Sequence, residues 1–240
     1  MERVGTDRAA ASACAECSFK LQCPSGAVAE TARRELDAQI ERGAPLHAGT
    51  VLYRQGESFR SLAVVRLGSI KTLAVDRAGR EQVLGFHLAG DLLGMDAIDQ
   101  GYHRSSAVAL DTVVLCRLPF AAVAELASRF PELQGKLFRL LSRDIARAVQ
   151  LSGPHSADER LAAFLVGMAD RLARRGYSHT RCQLSMSRSD IASYLRLAPE
   201  TVSRLLRRFQ QEGLLLVEGR DVELRGHRQL QAMAAPILRQ

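Results

Sequence analysis

The chain has 240 residues, 47% of them hydrophobic, and its 33 lysines and arginines against 26 acids leave a net charge of +7. That length and apolar fraction suit one large or two modest domains with real cores, and the basic excess admits polyanions as partners. No stretch of about 18 apolar residues offers a membrane span, and the polar start MERVGTDRAA leads into no apolar signal segment, so a cytoplasmic protein is expected.

The first chemistry-bearing stretch is CAECSFKLQC, which places Cys14, Cys17 and Cys23 within ten residues. Structural disulfides are rare in a reducing cytosol, so such a cluster points to metal ligands or a redox centre. Zinc and iron–sulfur clusters both take spacings of this kind, and the three cysteines alone do not separate them. A thiol oxidoreductase built on Cys14-x-x-Cys17 would need the motif at a helix N-terminus following a strand. Nothing before Cys14 reads as that strand.

The segment AVAETARRELDAQIERGAPL has the alanine and leucine content of a short helix, which Gly43 and Pro45 should stop. From Gly49 to Arg117 the texture is strand-like. TVLY, LAVV, IKTLAV, QVLGFHL, SAVAL and TVVLCRL alternate with glycine-bearing turns, the signature of a small β-barrel or roll. His87 and His103 lack a partner pattern and read as ordinary residues of that roll. Strands and helices do not alternate, which argues against a doubly wound sheet. No catalytic constellation stands out, and no enzyme is expected.

From Pro131 a helical stripe runs through Leu133, Leu137, Leu140, Leu141, Ile145, Ala148 and Leu151. It suits a helix packed on its own domain or a dimer seam equally well. Gly153 and Pro154 must end this helix and mark a hinge. SADERLAAFLVGMADRLARRGY then reads as an amphipathic helix, with Ser156 and Glu159 at capping-box spacing and Gly176 at its end.

Residues 171–208 carry nine arginines against Asp170, Asp190 and Glu200 nearby, a basic concentration typical of a nucleic-acid surface. Within it, Ser187 with Asp190 can cap a helix through Leu195, RLA makes a tight turn, and Pro199 suits the first position of a second helix. Ile191, Leu195, Leu197, Val202, Leu205, Leu206 and Phe209 supply the interior of the pair. Gly213 closes the second helix, and LLLV-EGRD-VEL should form two strands about a four-residue turn. Together these make a winged helix-turn-helix.

In that motif the second helix enters the major groove. Glu200, Ser203 and Arg204 share a face at helical spacing. Arg204 can pair with guanine O6 and N7, Glu200 can accept from cytosine N4, and Ser203 is permissive. Arg188, Arg207 and Arg208, with Thr201, suit phosphates, which position without reading sequence.

PETVSRLLRRFQQEGLL, the GFHLAGDLLGMDAI block at Gly85–Ile98 and ERLAAFL at Glu159–Leu165 resemble the CRP/FNR superfamily of regulators. With the cysteines, they resemble its oxygen-sensing, fumarate-and-nitrate-reduction branch. The resemblance implies an α+β fold: a double-stranded β-helix of the cyclic-nucleotide-binding type, a long dimerisation helix and a C-terminal winged helix-turn-helix. It divides the chain into a cysteine-rich segment (1–30), a β-roll (31–127), a dimerisation helix (128–152) and a DNA-binding domain (153–240).

It further implies that Cys14, Cys17 and Cys23 join Cys116, in VVLCRLPF, to hold one [4Fe–4S] cluster per chain. Leu137, Leu141, Ile145 and Ala148 would form the homodimer seam, and Gly79, Arg80 and Glu81 would contact RNA polymerase during activation. With little oxygen the dimer would grip a TTGAT–ATCAA inverted repeat; oxygen would convert the cluster to [2Fe–2S], part the dimer and release DNA. Cys182 has no counterpart and reads as an ordinary thiol.

Two departures stand out. Ala148 replaces an acid of the resembling family, and the link to the hinge is shorter. An alanine removes like-charge repulsion across the seam, so the dimer is expected to resist dissociation. Arg80 beside Gly79 leaves the strength of activation open. A cyclic-nucleotide activator is the nearest rival, with Arg104 and the serines of GYHRSSAV offered to a phosphate, but Met95 follows Gly94 where that branch needs a glutamate.

Overall fold

The computed structural model describes residues 14, 17, 23–24, 28–150 and 153–238. Most of the expected cysteine-rich segment, including the polar start of the chain, and Leu151 of the helical stripe lie outside the described residues. Among these, no helix is long and apolar enough to cross a membrane.

Helix α1 (Glu30–Ala38) is shorter than its sequence suggests, because Glu41 and Arg42 are drawn off into a strand, β1 (Glu41–Arg42). That strand pairs with Arg117 and Cys116 of β8 (Val114–Pro119). The roll follows as β2 (Val51–Tyr53), β3 (Ser61–Leu67), β4 (Ser69–Val75), β5 (Glu81–Leu88), β6 (Leu92–Leu93) and β7 (Ser106–Ala109) before β8. Two four-stranded antiparallel sheets result, in the orders β1-β8-β3-β6 and β2-β7-β4-β5. The six strand runs read from the sequence become β2, β3, β4, β5, β7 and β8. The two-residue strands β1 and β6 are too short to leave a periodic signal.

The sheets enclose a core of Ala63, Val65, Ile70, Leu93, Ala107, Val113 and Leu115. The turn between β3 and β4 admits only glycine. Gly68 has φ +83°, and a Cβ there would meet the Thr112 carbonyl oxygen at 2.3 Å.

Helix α2 (Phe120–Arg129), which the sequence reading missed, leads into α3 (Pro131–Gln150). A second cluster gathers Leu36, Leu62, Val64, Leu118, Val123, Leu126, Leu133 and Leu140, so α1, α2 and the start of α3 pack on the outer face of β3 and β8. Leu137 is half-buried against the same cluster. The other side of α3 presents Phe138, 61% exposed, and Ile145, 64% exposed. The single stripe of the sequence therefore splits into two faces, one on the roll and one open.

The C-terminal domain comprises α4 (Ala157–Ala173), β9 (Arg181–Gln183), α5 (Arg188–Leu195), α6 (Pro199–Gln211), β10 (Leu215–Glu218), β11 (Asp221–Leu224) and α7 (His227–Leu238). Ser156 and Glu159 make the expected capping box, as do Ser187 and Asp190. The hinge side is tied down by Arg160, which donates to the carbonyls of Gly153 (3.0 Å) and His155 (3.1 Å). The wing differs from expectation. Glu218 pairs with Asp221, leaving a two-residue turn, and β9 adds a third strand.

This domain does not stand apart from the roll. Val83, Phe86 and Leu88 of β5 belong to the same apolar cluster as Leu161, Leu165, Leu195 and Phe209, and Phe86 meets Phe164 edge-on while Tyr194 packs against both at a tilt. Burying each such side chain contributes about 1.5–3 kcal/mol.

Candidate nucleic-acid interface and cysteine pocket

The turn between α5 and α6 places the reading helix. Arg196 adopts a left-handed conformation, φ +56°, unusual for a side chain of its size. Leu197 then returns its N–H to the Ala192 carbonyl, and Pro199 opens α6. Val202, Leu205, Leu206 and Phe209 are buried, while Glu200, Ser203 and Arg204 are exposed on one face with Thr201 half-buried beside them. The Arg204 guanidinium lies 3.4 Å from the Thr201 hydroxyl. Every expected base-reading side chain is thus solvent-facing on a helix whose back is fixed in a core.

The expected phosphate contacts are less alike. Arg188 and Arg207 are exposed, whereas Arg208 is engaged within the protein. It pairs with Asp158, lies 3.6 Å from Glu212 and sits over the Phe209 ring.

Four of the five cysteines meet against the roll. Cys116 pairs with Val64 across β8 and β3, and one cavity is lined by Cys14, Cys17, Cys23 and Cys116 over Leu36, Val64 and Leu118, with Arg42 and Arg66 also on its wall. Cys14 and Cys23 are buried; Cys17 and Cys116 are partly so. Burial pushes the Cys116 thiol up, Arg66 and Arg42 pull it down, and Cys17 and Asp37 add to the rise. As a donor set this fits an iron–sulfur cube: four thiols with apolar walls and guanidinium groups to offset thiolate charge.

Among the described residues no group of three or more His, Cys, Asp or Glu side chains is arranged to hold a metal ion. The cavity itself encloses about 20 Å³, room for about one water. Holding a cube would therefore require Cys14, Cys17 and Cys23 to stand further from the floor at Val64.

Of the expected seam residues, Ile145 and Ala148 are exposed and Leu141 is half-buried, on the face that also carries Phe138 and Val149. Leu137 turns toward the roll instead. Phe138 was legible, since it lies three residues before Leu141 and seven before Ile145. The Gly79–Arg80–Glu81 loop is an exposed turn at the tip of β4 and β5, closed by Asp76, whose carboxylate accepts from the Ala78 and Arg80 N–H groups and pairs with Arg80 at 2.7 Å.

The roll holds a cavity of about 330 Å³ beside α3. Arg104 is exposed and does not line it. Where a phosphate would be expected, the Ser105 hydroxyl donates to Asp96 at 3.0 Å, and an anion there would face a carboxylate. Tyr53 and His103 stack at 3.7 Å. His87 lies 3.2 Å from the Thr72 hydroxyl, and burial pushes its pKa down to about 4. Cys182 is buried in the wing sheet opposite Val222, where burial raises its pKa to about 11.

Comparison with known proteins places these features. Residues 159–233 match a Crp-like helix-turn-helix domain and residues 44–130 a cyclic nucleotide-binding domain. The chain is 40% identical over 224 residues to the fumarate and nitrate reduction regulatory protein of Salmonella typhi, covering 92% of this chain and 90% of that one. It is 39% identical, over the same shares, to the protein of that name from Escherichia coli K12. Among solved structures it resembles FixK2 from Bradyrhizobium japonicum, with a TM-score of 0.74 and 27% identity over 81% of this chain and 96% of that one.

Proposed function

Because the chain belongs to the CRP/FNR family of transcription regulators, a family of DNA-binding dimers rather than enzymes, we propose that it is an oxygen-responsive regulator in which Cys14, Cys17, Cys23 and Cys116 hold a [4Fe–4S] cluster. The observation that carries this reading is the convergence of those four thiols on one cavity. When bound, such a cluster supplies a centre sensitive to oxygen.

The chain's own residues do the rest. Arg42 and Arg66 on the cavity wall offset the charge of four thiolates. Cys23 belongs to the cluster that includes Leu133 and Leu140 of α3, with Cys116 and Leu137 packed against it. Moving the cysteines therefore moves the packing under the dimerisation helix. Phe138, Leu141, Ile145 and Ala148 on the open side pair with a second copy, and the dimer sets two α6 helices on an inverted repeat of the TTGAT type. Arg204 and Glu200 read base edges there, and Arg188 and Arg207 hold phosphates. A monomer keeps half the phosphate contacts, so its affinity falls steeply with salt. The Gly79–Arg80–Glu81 loop would meet RNA polymerase when transcription is activated.

Reconstitution under anaerobic conditions tests the reading. Iron and acid-labile sulfide near four of each per chain are expected, with inverted-repeat binding that is lost on exposure to air, and Cys116→Ser should abolish both. One colourless zinc per chain, or operator binding indifferent to air, would overturn it.

A further inference from the structure

The turn from β5 into β6 carries an acid that no part of the DNA-binding or cysteine chemistry uses. The Asp91 carboxylate accepts from the Leu88 N–H at 2.8 Å and from two guanidinium groups of the C-terminal domain, Arg171 at 2.6 Å and Arg175 at 2.6 Å. Neither arginine stops at the carboxylate. Arg171 also donates to the Phe86 carbonyl at 2.7 Å and Arg175 to the Ala89 carbonyl at 2.5 Å. Arg175 further donates to the Arg171 carbonyl at 2.7 Å, which fixes the two arginines relative to each other. The Arg175 side chain is 3% exposed and that of Asp91 10%. Burial alone would push the Asp91 carboxyl up, yet Arg171 and Arg175 outweigh it and hold the group well below the usual carboxylate range.

The other side of this turn reaches the cysteine pocket. The Asp91 carbonyl accepts from the Val65 N–H at 3.0 Å, and the Gly90 N–H donates to the Val65 carbonyl at 2.7 Å. Val65 and its neighbour Val64 line the cavity of the four cysteines. A cysteine-pocket wall, one acidic turn and the end of α4 are therefore joined by backbone hydrogen bonds on one side and a buried double ion pair on the other.

We propose that Asp91 is a positioning residue that holds each subunit's DNA-binding domain in register with the wall of its own cysteine pocket, a connection separate from the dimer seam. It rests on the reading of the cysteine pocket as the sensor for its regulatory meaning, but the mechanical link is a property of the chain with or without a cluster. Coupling of this kind is reciprocal: loosening the DNA-binding domain must loosen the pocket. Asp91→Asn keeps the size of the side chain while leaving two buried guanidinium groups without their anion.

The test uses the full-length, cluster-free protein, compared with Asp91→Asn and with Arg175→Gln, which breaks the same contact from the other side. Three quantities are read: hydrogen exchange, alkylation of the cysteines, and dimer population by sedimentation. Exchange at the end of α4 and at the Val65 N–H should rise on the order of tenfold or more in both variants. Alkylation of Cys116 should accelerate severalfold, while Cys182, buried in the wing sheet, and the dimer population should stay at wild-type values. Unchanged exchange at α4 would overturn the proposal. So would exchange that rises at α4 with Cys116 alkylation unmoved, or a uniform rise that includes Cys182, which would mark a general loss of stability. If wild-type protein takes up no iron anaerobically, the oxygen-sensing reading fails while these outcomes still decide the role of Asp91.

Discussion

Lys71 of β4 and Asp190 of α5 stand 119 residues apart in sequence, and their charged groups meet at 2.6 Å. Asp190 also closes the capping box of α5, accepting from the Ser187 N–H and hydroxyl. One carboxylate thus starts the first helix of the helix-turn-helix and fastens it to the roll. Burial pushes the Asp190 carboxyl up, but Lys71 and Ser187 outweigh that and hold it below its ordinary value. Its contribution is therefore present above the ordinary carboxylate range and lost as pH falls below it. Asp190→Ala should cost about 2 kcal/mol near neutral pH, measured by urea unfolding, with the difference from wild type shrinking in acid.

The arginines proposed to hold phosphates should not behave alike. Arg188 and Arg207 are exposed, so replacing either by alanine should lower the slope of log K against log salt by about 1. Arg208 already serves Asp158 and Glu212, so Arg208→Ala should change the slope less. Asp158→Asn frees that guanidinium and should steepen it. Arg204→Ala should cost about 1–3 kcal/mol on the cognate site and relax specificity at one base pair. Fluorescence anisotropy at several salt concentrations reads all of these.

What was legible in the sequence follows the range of the physics involved. Ser187 and Asp190 cap a helix three residues apart, and that spacing is visible in the string. So is the exposed face of Glu200, Ser203 and Arg204, fixed by helical period alone. Leu137 and Phe138 differ by one helical step, and only the packing of α3 on β3 and β8 decides which of them turns outward. The wing turn contracts to two residues because Glu218 and Asp221 extend the ladder, a gain that turn composition does not reveal. Asp91 reads as a turn acid; its partners lie 80 and 84 residues away, beyond any local signal. Cys116 joined the other cysteines through a family resemblance, and the register of β8 against β3 supplies the physical reason.

The open face of α3 makes a separable prediction. Ile145→Asp should leave only monomer at concentrations where wild type is dimeric, because two carboxylates would meet across the symmetry axis. Ala148→Asp should raise the dimer dissociation constant on the order of tenfold or more for the same reason. Leu137→Ala should instead lower subunit stability by about 2 kcal/mol with little effect on dimerisation, since Leu137 packs on the roll. Sedimentation equilibrium and urea unfolding of the same samples distinguish the two effects, and a monomeric Leu137→Ala with unchanged stability would reverse the assignment of faces.

His87 should govern part of the acid sensitivity of the fold. Its ring is half-buried on the wall of the roll cavity, 3.2 Å from the Thr72 hydroxyl, with Asp91, Arg171 and Arg147 close enough to act on its charge. Burial lowers its pKa from 6.5 to about 4; Asp91 opposes this, and the two arginines reinforce it. A histidine held neutral costs nothing above its unfolded pKa, where both states lack the proton. As pH falls below 6.5 the unfolded chain binds a proton that the folded one refuses, and stability declines until the folded pKa is reached. At pH 5 the loss amounts to about 2 kcal/mol relative to pH 7.5. His87→Gln retains a polar partner for Thr72 and cannot titrate, so its stability should change less between those pH values, by about that amount. Urea unfolding of cluster-free protein checks this. Parallel pH profiles for wild type and variant would show that His87 already carries a proton in the folded state, or that its burial is relieved before unfolding begins.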